Sequence, residues 1–153
     1  MQVLIFHLGA DRFALPTQQV VQVLPLLATT AIPGAPAFIA GLINYHGQAV
    51  PLVDLRALNG GQASRERLDT RIVLVDYPGS EGAAHLLGLI AEGVTGTARI
   101  DARHVRPSGV DLPQVPHLGQ VVSSGEGILQ LVEVAQLLPA AVCDLLFQRQ
   151  AVP

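Results

Sequence analysis

The sequence predicts an all-β fold, and three observations carry that expectation. Short apolar runs rich in Val, Ile and Leu dominate the chain. Fifteen Gly and eleven Pro punctuate these runs at the spacing of sandwiches or barrels rather than of βαβ units. Helical periodicity is confined to a few short stretches.

In chain order, strands are expected near Gln2 to Leu8, Arg12 to Leu15, Val20 to Leu26, Leu42 to Tyr45, Gln48 to Val53, Arg71 to Tyr77, His85 to Ala91, Val94 to Ile100, Gly119 to Ser123 and Gly127 to Val132. Leu8-Gly9-Ala10-Asp11-Arg12 supplies a hairpin turn for the first pair, and Ser123-Ser124-Gly125-Glu126-Gly127 one for the last. Pro36-Ala37-Phe38-Ile39 makes a single turn. Asp54 caps a short helix through Leu58 that ends at Asn59-Gly60-Gly61. From Glu133 to Gln150, Val134, Leu137, Leu138, Val142, Leu145 and Leu146 recur at helical intervals, and Pro139 splits the segment into two helices. Gly60 to Asp69 and Pro78 to Ala83 read as exposed loops.

The 153 residues fit one domain with two subdomains sharing a core, roughly 16–80 and 1–15 with 84–135, followed by C-terminal helices over 133–150. The strands suffice for two small barrels, and the first strand could pair with either one.

Hydrophobic residues make up 50% of the chain and charged ones 14%, against a usual quarter or so, and that excess favours a protein with partners. No Asp, Glu, Lys or Arg occurs from Phe13 through Val53. Such a segment is either core on both sides or, in part, an exposed apolar docking surface. All nine basic residues are Arg, scattered from Arg12 to Arg149 in a chain of net charge −3, so the basic stripe that nucleic acid requires is missing. No apolar run reaches the ~18 residues of a membrane span. The opening Met1 to Phe6 reads as a strand rather than a secretory signal, and a cytoplasmic location is expected.

Chemistry-bearing constellations are sparse. The histidines at 7, 46, 85, 104 and 117 are never spaced as a metal-ligand pair. Ser123-Ser124 lies in a turn without a nucleophile elbow, and Cys143, the sole cysteine, falls on the apolar stripe of a helix. Acidic residues are scattered singly, and Gly125-Glu126-Gly127 is a hairpin tip rather than a phosphate cradle. Neither a cofactor nor a metal is expected.

The run Ile32-Pro33-Gly34-Ala35-Pro36-Ala37-Phe38-Ile39-Ala40-Gly41-Leu42-Ile43-Asn44-Tyr45-His46-Gly47-Gln48-Ala49-Val50-Pro51-Leu52-Val53-Asp54-Leu55-Arg56 resembles the most characteristic stretch of the CheW coupling proteins of bacterial chemosensory systems. That stretch reads Pro-x-x-Pro-x-Phe/Tyr-Ile/Val-x-Gly-Val-x-Asn-Leu-Arg-Gly-x-Ile-x-Pro-Val-Val-Asp-Leu-Arg. The opening hairpin Val3 to Pro16 and the later strands around Ile72, Leu89 and Leu129 are similar to the family's in order and spacing, so the resemblance covers essentially the whole chain.

The resemblance implies two five-stranded SH3-like barrels packed side by side. It implies a non-catalytic adaptor that bridges the cytoplasmic tip of a chemoreceptor to the regulatory domain of a CheA-type histidine kinase. It implies partner contact at Val20, Gln22, Gly41, Asn44, His46, Gly47, Ile72 and Val94, of which Gly41 and Gly47 also read as backbone-geometry residues and Ile72 and Val94 equally as inward-pointing ones. Two positions depart from the family: His46 stands where it usually has Arg, and Gln22 where it usually has Glu. Together they suggest an alternative, non-flagellar pathway. The competing reading is a small β-barrel enzyme or ligand-binding protein with its site in the inter-barrel groove, which would need a closed polar pocket with perturbed titrating groups.

Overall fold

Strand after strand in this chain is apolar on both faces, and the architecture follows from that. The computed structural model describes residues 1–78, 84–109, 119–124 and 127–147. Its strands are β1 (Gln2–Leu8), β2 (Asp11–Pro16), β3 (Val20–Pro25), β4 (Ile39–Tyr45), β5 (Gln48–Asp54), β6 (Arg71–Pro78), β7 (Ala84–Ala91), β8 (Gly96–Arg99), β9 (Val105–Pro107), β10 (Gln120–Ser124) and β11 (Gly127–Leu131). Two helices join them, α1 (Leu55–Leu58) and α2 (Ala140–Leu146).

The strands form two sheets, one of six in the order β8-β1-β2-β11-β10-β9 and one of five in the order β3-β6-β7-β5-β4. Neighbours are antiparallel except β11 with β2 and β7 with β5. The chain beyond β3 then reaches the far edge of the five-stranded sheet, where Thr30 and Leu42 exchange backbone hydrogen bonds of 2.9 and 2.8 Å. That bridge ties the two edges of the sheet together.

Each sheet encloses a core of its own, and a third core lies between them. Val3, Ile5, Ala14, Val122, Leu129 and Leu131 fill the six-stranded sheet, and Ile43, Val50, Leu52, Ile72, Leu74 and Ile90 the five-stranded one. The opposite faces of the same strands, with Leu4 and Phe6 from β1 and Val73, Val75 and Tyr77 from β6, meet in the shared core. Alternate side chains point to opposite faces, so a strand serving two cores needs an unbroken apolar run. Much of the hydrophobic excess that suggested partners is therefore internal.

Several expectations are corrected. The strand at 84–91, grouped by the sequence with the second subdomain, is hydrogen-bonded between β6 and β5 in the five-stranded sheet. The first strand, whose pairing the sequence left open, pairs with β2 and β8, which puts it in the six-stranded sheet. That sheet has six strands because β9, only three residues long, pairs with β10. The tip at Gly125-Glu126, the loop over 79–83, His117 and the chain beyond Phe147 lie outside the described residues.

Local chemistry sets the remaining elements. Asp54 caps α1, its Oδ1 accepting from the Arg56 and Ala57 N–H groups at 3.1 and 3.4 Å. Pro36 to Ile39 is one turn, closed by the Ile39 N–H to the Pro36 carbonyl at 2.9 Å. The C-terminal segment breaks at Pro139, as its missing N–H dictates, into a 3-10 turn at Val134–Gln136 and α2. Phe147 then stacks on Tyr77 and His85, with ring centroids 5.6 and 4.6 Å apart, and seats α2 on the five-stranded sheet.

Candidate partner-docking surface

The charge-free segment divides into buried and exposed parts. Phe13, Ala14 and Leu15 are core, as are Val50 to Val53, whereas Val21, Gln22, Val23 and the stretch from Leu27 to Ala31 are exposed. Strand β3 is largely open to solvent: Val21, at a register shift opposite β6, is 46% exposed, Val23 is 39% exposed, and Gln22 between them is exposed too. Leu27, just beyond β3, is 40% exposed, and no side chain from Phe13 through Val53 is charged.

Beside it stands the β4–β5 hairpin. Its two-residue turn is His46-Gly47, with φ of 50° and 83°, a left-handed pair that such hairpins require. Gly47 meets the demand without strain. His46 does not, and it is the only non-glycine residue with positive φ among the described residues. The Asn44 side chain supports the turn by accepting from the Gly47 N–H at 2.8 Å.

Tyr45 joins the hairpin to β3. Its hydroxyl donates to Gln22 Oε1 at 2.5 Å, and its ring meets the His46 imidazole edge-on, with centroids 4.4 Å apart and planes at 68°. Gln22 and His46, the two positions that depart from the CheW pattern, are thus brought together through a residue that sequence reasoning passed over. No local signal marks Tyr45, because its partner lies 23 residues away.

Of the eight residues expected to contact partners, Gln22, Asn44, His46 and Gly47 are exposed and adjoin the surface. Val20 is half-buried against the shared core. Ile72 is wholly buried inside the five-stranded sheet and is corrected to a core residue. Its strand is apolar on both faces, so alternation could not show which way it points. Gly41 is also buried, at φ 140° and a bulge in β4. A Cβ there would run into the Thr30 carbonyl and come within 2.7 Å of Thr29 Cγ2, so the edge bridge requires Gly at position 41. Val94 is half-buried against the shared core, its N–H donating to the Asp69 carbonyl at 2.9 Å.

A polar cleft of about 330 Å³ lies where the two sheets adjoin, lined by His7, Arg56, Arg65, Arg67, Asp69 and Glu92 among others. Glu92 is nearly buried, and its Oε1 accepts from Arg56 Nη1 at 3.0 Å and from the Arg65 N–H at 2.6 Å. Burial opposes its charged form. The Arg65 N–H, the Arg56 hydrogen bond and the two guanidinium charges outweigh burial and hold the carboxyl below its ordinary value. A carboxylate so stabilised is a poor proton acceptor, and its partners are those of a structural anchor. The loop over 60–69 is exposed as expected and is also pinned here, since Asp54 accepts from the Ser64 N–H and Oγ at 2.8 and 2.6 Å. No group of His, Cys, Asp or Glu suited to a metal occurs among the described residues, and no helix among them is long and apolar enough to cross a membrane.

Comparison with known proteins agrees with this geometry. The CheW-like domain family model matches residues 2–142. Protein FrzA of Myxococcus xanthus is 31% identical over 140 residues, covering 89% of this chain and 84% of that protein. Chemotaxis protein CheW of Klebsiella aerogenes is 27% identical over 138 residues, covering 88% and 80%. The crystal structure of the scaffolding protein TtCheW from Thermoanaerobacter tengcongensis matches with a TM-score of 0.79 at 22% identity, covering 90% of this chain and 87% of that one. The mostly β, two-sheet architecture is shared with that structure, and the chain belongs to the CheW-like domain family.

Proposed function

We propose that the chain is a non-catalytic adaptor coupling the cytoplasmic tip of a methyl-accepting-type chemoreceptor to the regulatory domain of a CheA-type histidine kinase. It works in the cytoplasm and is recruited to receptor arrays at the membrane. The observation that carries the reading is the uncharged, solvent-exposed surface of β3 and the β4–β5 turn in a member of a family of chemotaxis scaffolds. Apolar side chains left in water at the rim of a well-filled fold gain free energy when a partner covers them, at roughly 25 cal/mol per Å². Nothing in that surface makes or breaks bonds, so its activity is docking. Gln22 and His46, standing where the family usually has Glu and Arg, support an output other than the flagellar one.

The test is a pull-down from native lysate followed by titration of the captured CheA-type kinase and receptor against the purified chain. The expected result is direct binding that Val21→Asp with Val23→Asp weakens about tenfold or more while the melting temperature holds. Binding unaffected by the double substitution would sink the reading.

A further inference from the structure

Resting on that adaptor reading, we infer that the β8–β9 rim of the six-stranded sheet is a second docking surface, and that an acidic segment of a partner protein covers it. The rim is where the two edge strands of that sheet are joined through the 3-10 turn at Ala102–His104. Charge complementarity is the argument. Residues 99–106 carry Arg99, Arg103 and Arg106 against one carboxylate, Asp101, a net +2 in a chain whose whole charge is −3. Ala98, Ile100 and Val105 pack onto the core of the six-stranded sheet, so alternation turns Arg99 and Arg106 outward, and all three arginines are exposed. The strands hydrogen-bonded to the rim leave this charge undiluted, because β1 beside β8 and β10 beside β9 contain no Asp or Glu.

Asp101 is already occupied. Its Oδ1 accepts from the Arg103 N–H at 2.9 Å, and the Arg103 fork closes on both carboxylate oxygens, with Nε 3.2 Å from each and Nη2 2.8 Å from Oδ2. That pair shows the geometry with which an arginine of this rim grips a carboxylate. Arg106 Nη1 donates to the Arg103 and Val105 carbonyls, which holds its side chain beside the pair, and Arg99 has no partner among the described residues. Glu133 shares a cavity wall with Ala102 and Val105 and pairs with no arginine among the described residues. Arg99 and Arg106 thus stand in water without a counter-ion. Anionic membranes are held by clusters of about four to eight basic residues. Here there are three, one of them committed to Asp101, so carboxylates of a protein fit the rim better than a lipid surface does.

Association kinetics test this. Surface plasmon resonance of the full chain against the captured kinase and receptor should show, for one of them, an association rate constant that falls at least about fivefold between about 50 and about 500 mM NaCl. Arg99→Glu combined with Arg106→Glu should lower that constant about tenfold at the lower salt, change the dissociation rate less than about twofold, and abolish the salt dependence. Arg99→Glu alone, at a side chain the fold does not use, should give part of the effect with an unchanged melting temperature. Association rates of both variants within about twofold of wild type for each protein would overturn the inference and leave the adaptor reading intact. So would co-sedimentation of the wild-type chain with vesicles of phosphatidylcholine and about 30% phosphatidylserine that the double substitution abolishes, because the rim would then serve lipid. Failure of the wild-type chain to bind either protein at any salt would remove both readings.

Discussion

Arg56 on α1 and Glu92 at the exit of β7 form a partly buried ion pair, Nη1 to Oε1 3.0 Å, that ties the helix following β5 to the strand beside it. The same oxygen holds Arg65, so one carboxylate fixes both a helix and a loop. Replacing Glu92 by Gln leaves the Arg56 charge without its counter-ion and is expected to cost about 1–3 kcal/mol in urea unfolding at neutral pH. Because the folded carboxyl titrates below its ordinary 4.5, its contribution is present above about that pH and is lost as pH falls further. The Glu92→Gln variant should consequently lose less stability than wild type between neutral and acid pH, and equal acid slopes would count against the pair.

Asp54 is the second anchor of that loop, accepting from two helix N–H groups and from Ser64 twice. Asp54→Ala should free the segment around Ser64 and make the Arg65 and Arg67 peptide bonds susceptible to trypsin. Limited proteolysis followed by mass spectrometry reads this directly, and a cleavage rate within about twofold of wild type would refute it. A stability loss of about 1–2 kcal/mol accompanies removal of the cap.

The Tyr77 hydroxyl is buried, accepting from the Leu138 N–H at 3.3 Å and the Cys143 thiol at 3.4 Å. Burial first, then the interaction with Cys143, raises the phenol above its ordinary 10.0. A raised value means the contribution is whole below about pH 10 and declines as pH climbs past it. Tyrosinate absorbance from Tyr77 should therefore appear only together with loss of the fold. Tyr77→Phe, which leaves the Leu138 N–H unpaired, should cost about 1–3 kcal/mol and remove that part of the alkaline signal.

His46 occupies a left-handed turn position that Asn tolerates better. His46→Asn should leave stability unchanged or raise it by up to about 1 kcal/mol, while binding on this surface falls. A variant that melts lower and binds as well as wild type would show that the imidazole serves the turn instead.

How much of this could be read beforehand depended on whether the physics was local. The opening hairpin, the Asp54 cap and the Pro139 break each rest on residues adjacent in sequence, and each was legible. Strand β9 was not, because Val105-Arg106-Pro107 is too short to show alternation. The sheet joined by β7 was misjudged because its parallel partner β5 is fixed by long-range register, for which the sequence carries no turn signal. In the candidate site, Gln22, Asn44, His46 and Gly47 were singled out from their likeness to a family pattern, and the fold leaves all four exposed. Tyr45 escaped because a hydroxyl's partner across a barrel leaves no periodicity, and Ile72 was left open between core and contact because both faces of its strand are apolar.

Strands β1 and β6 each line two cores at once, and this constrains how the protein can be divided. A fragment holding only one sheet would keep its private interior but strip the outer flank of those strands, leaving Phe6 or Tyr77 bare to water. Neither half should survive expression alone as a stable module, and thermal melting of the intact chain should register as a single cooperative event.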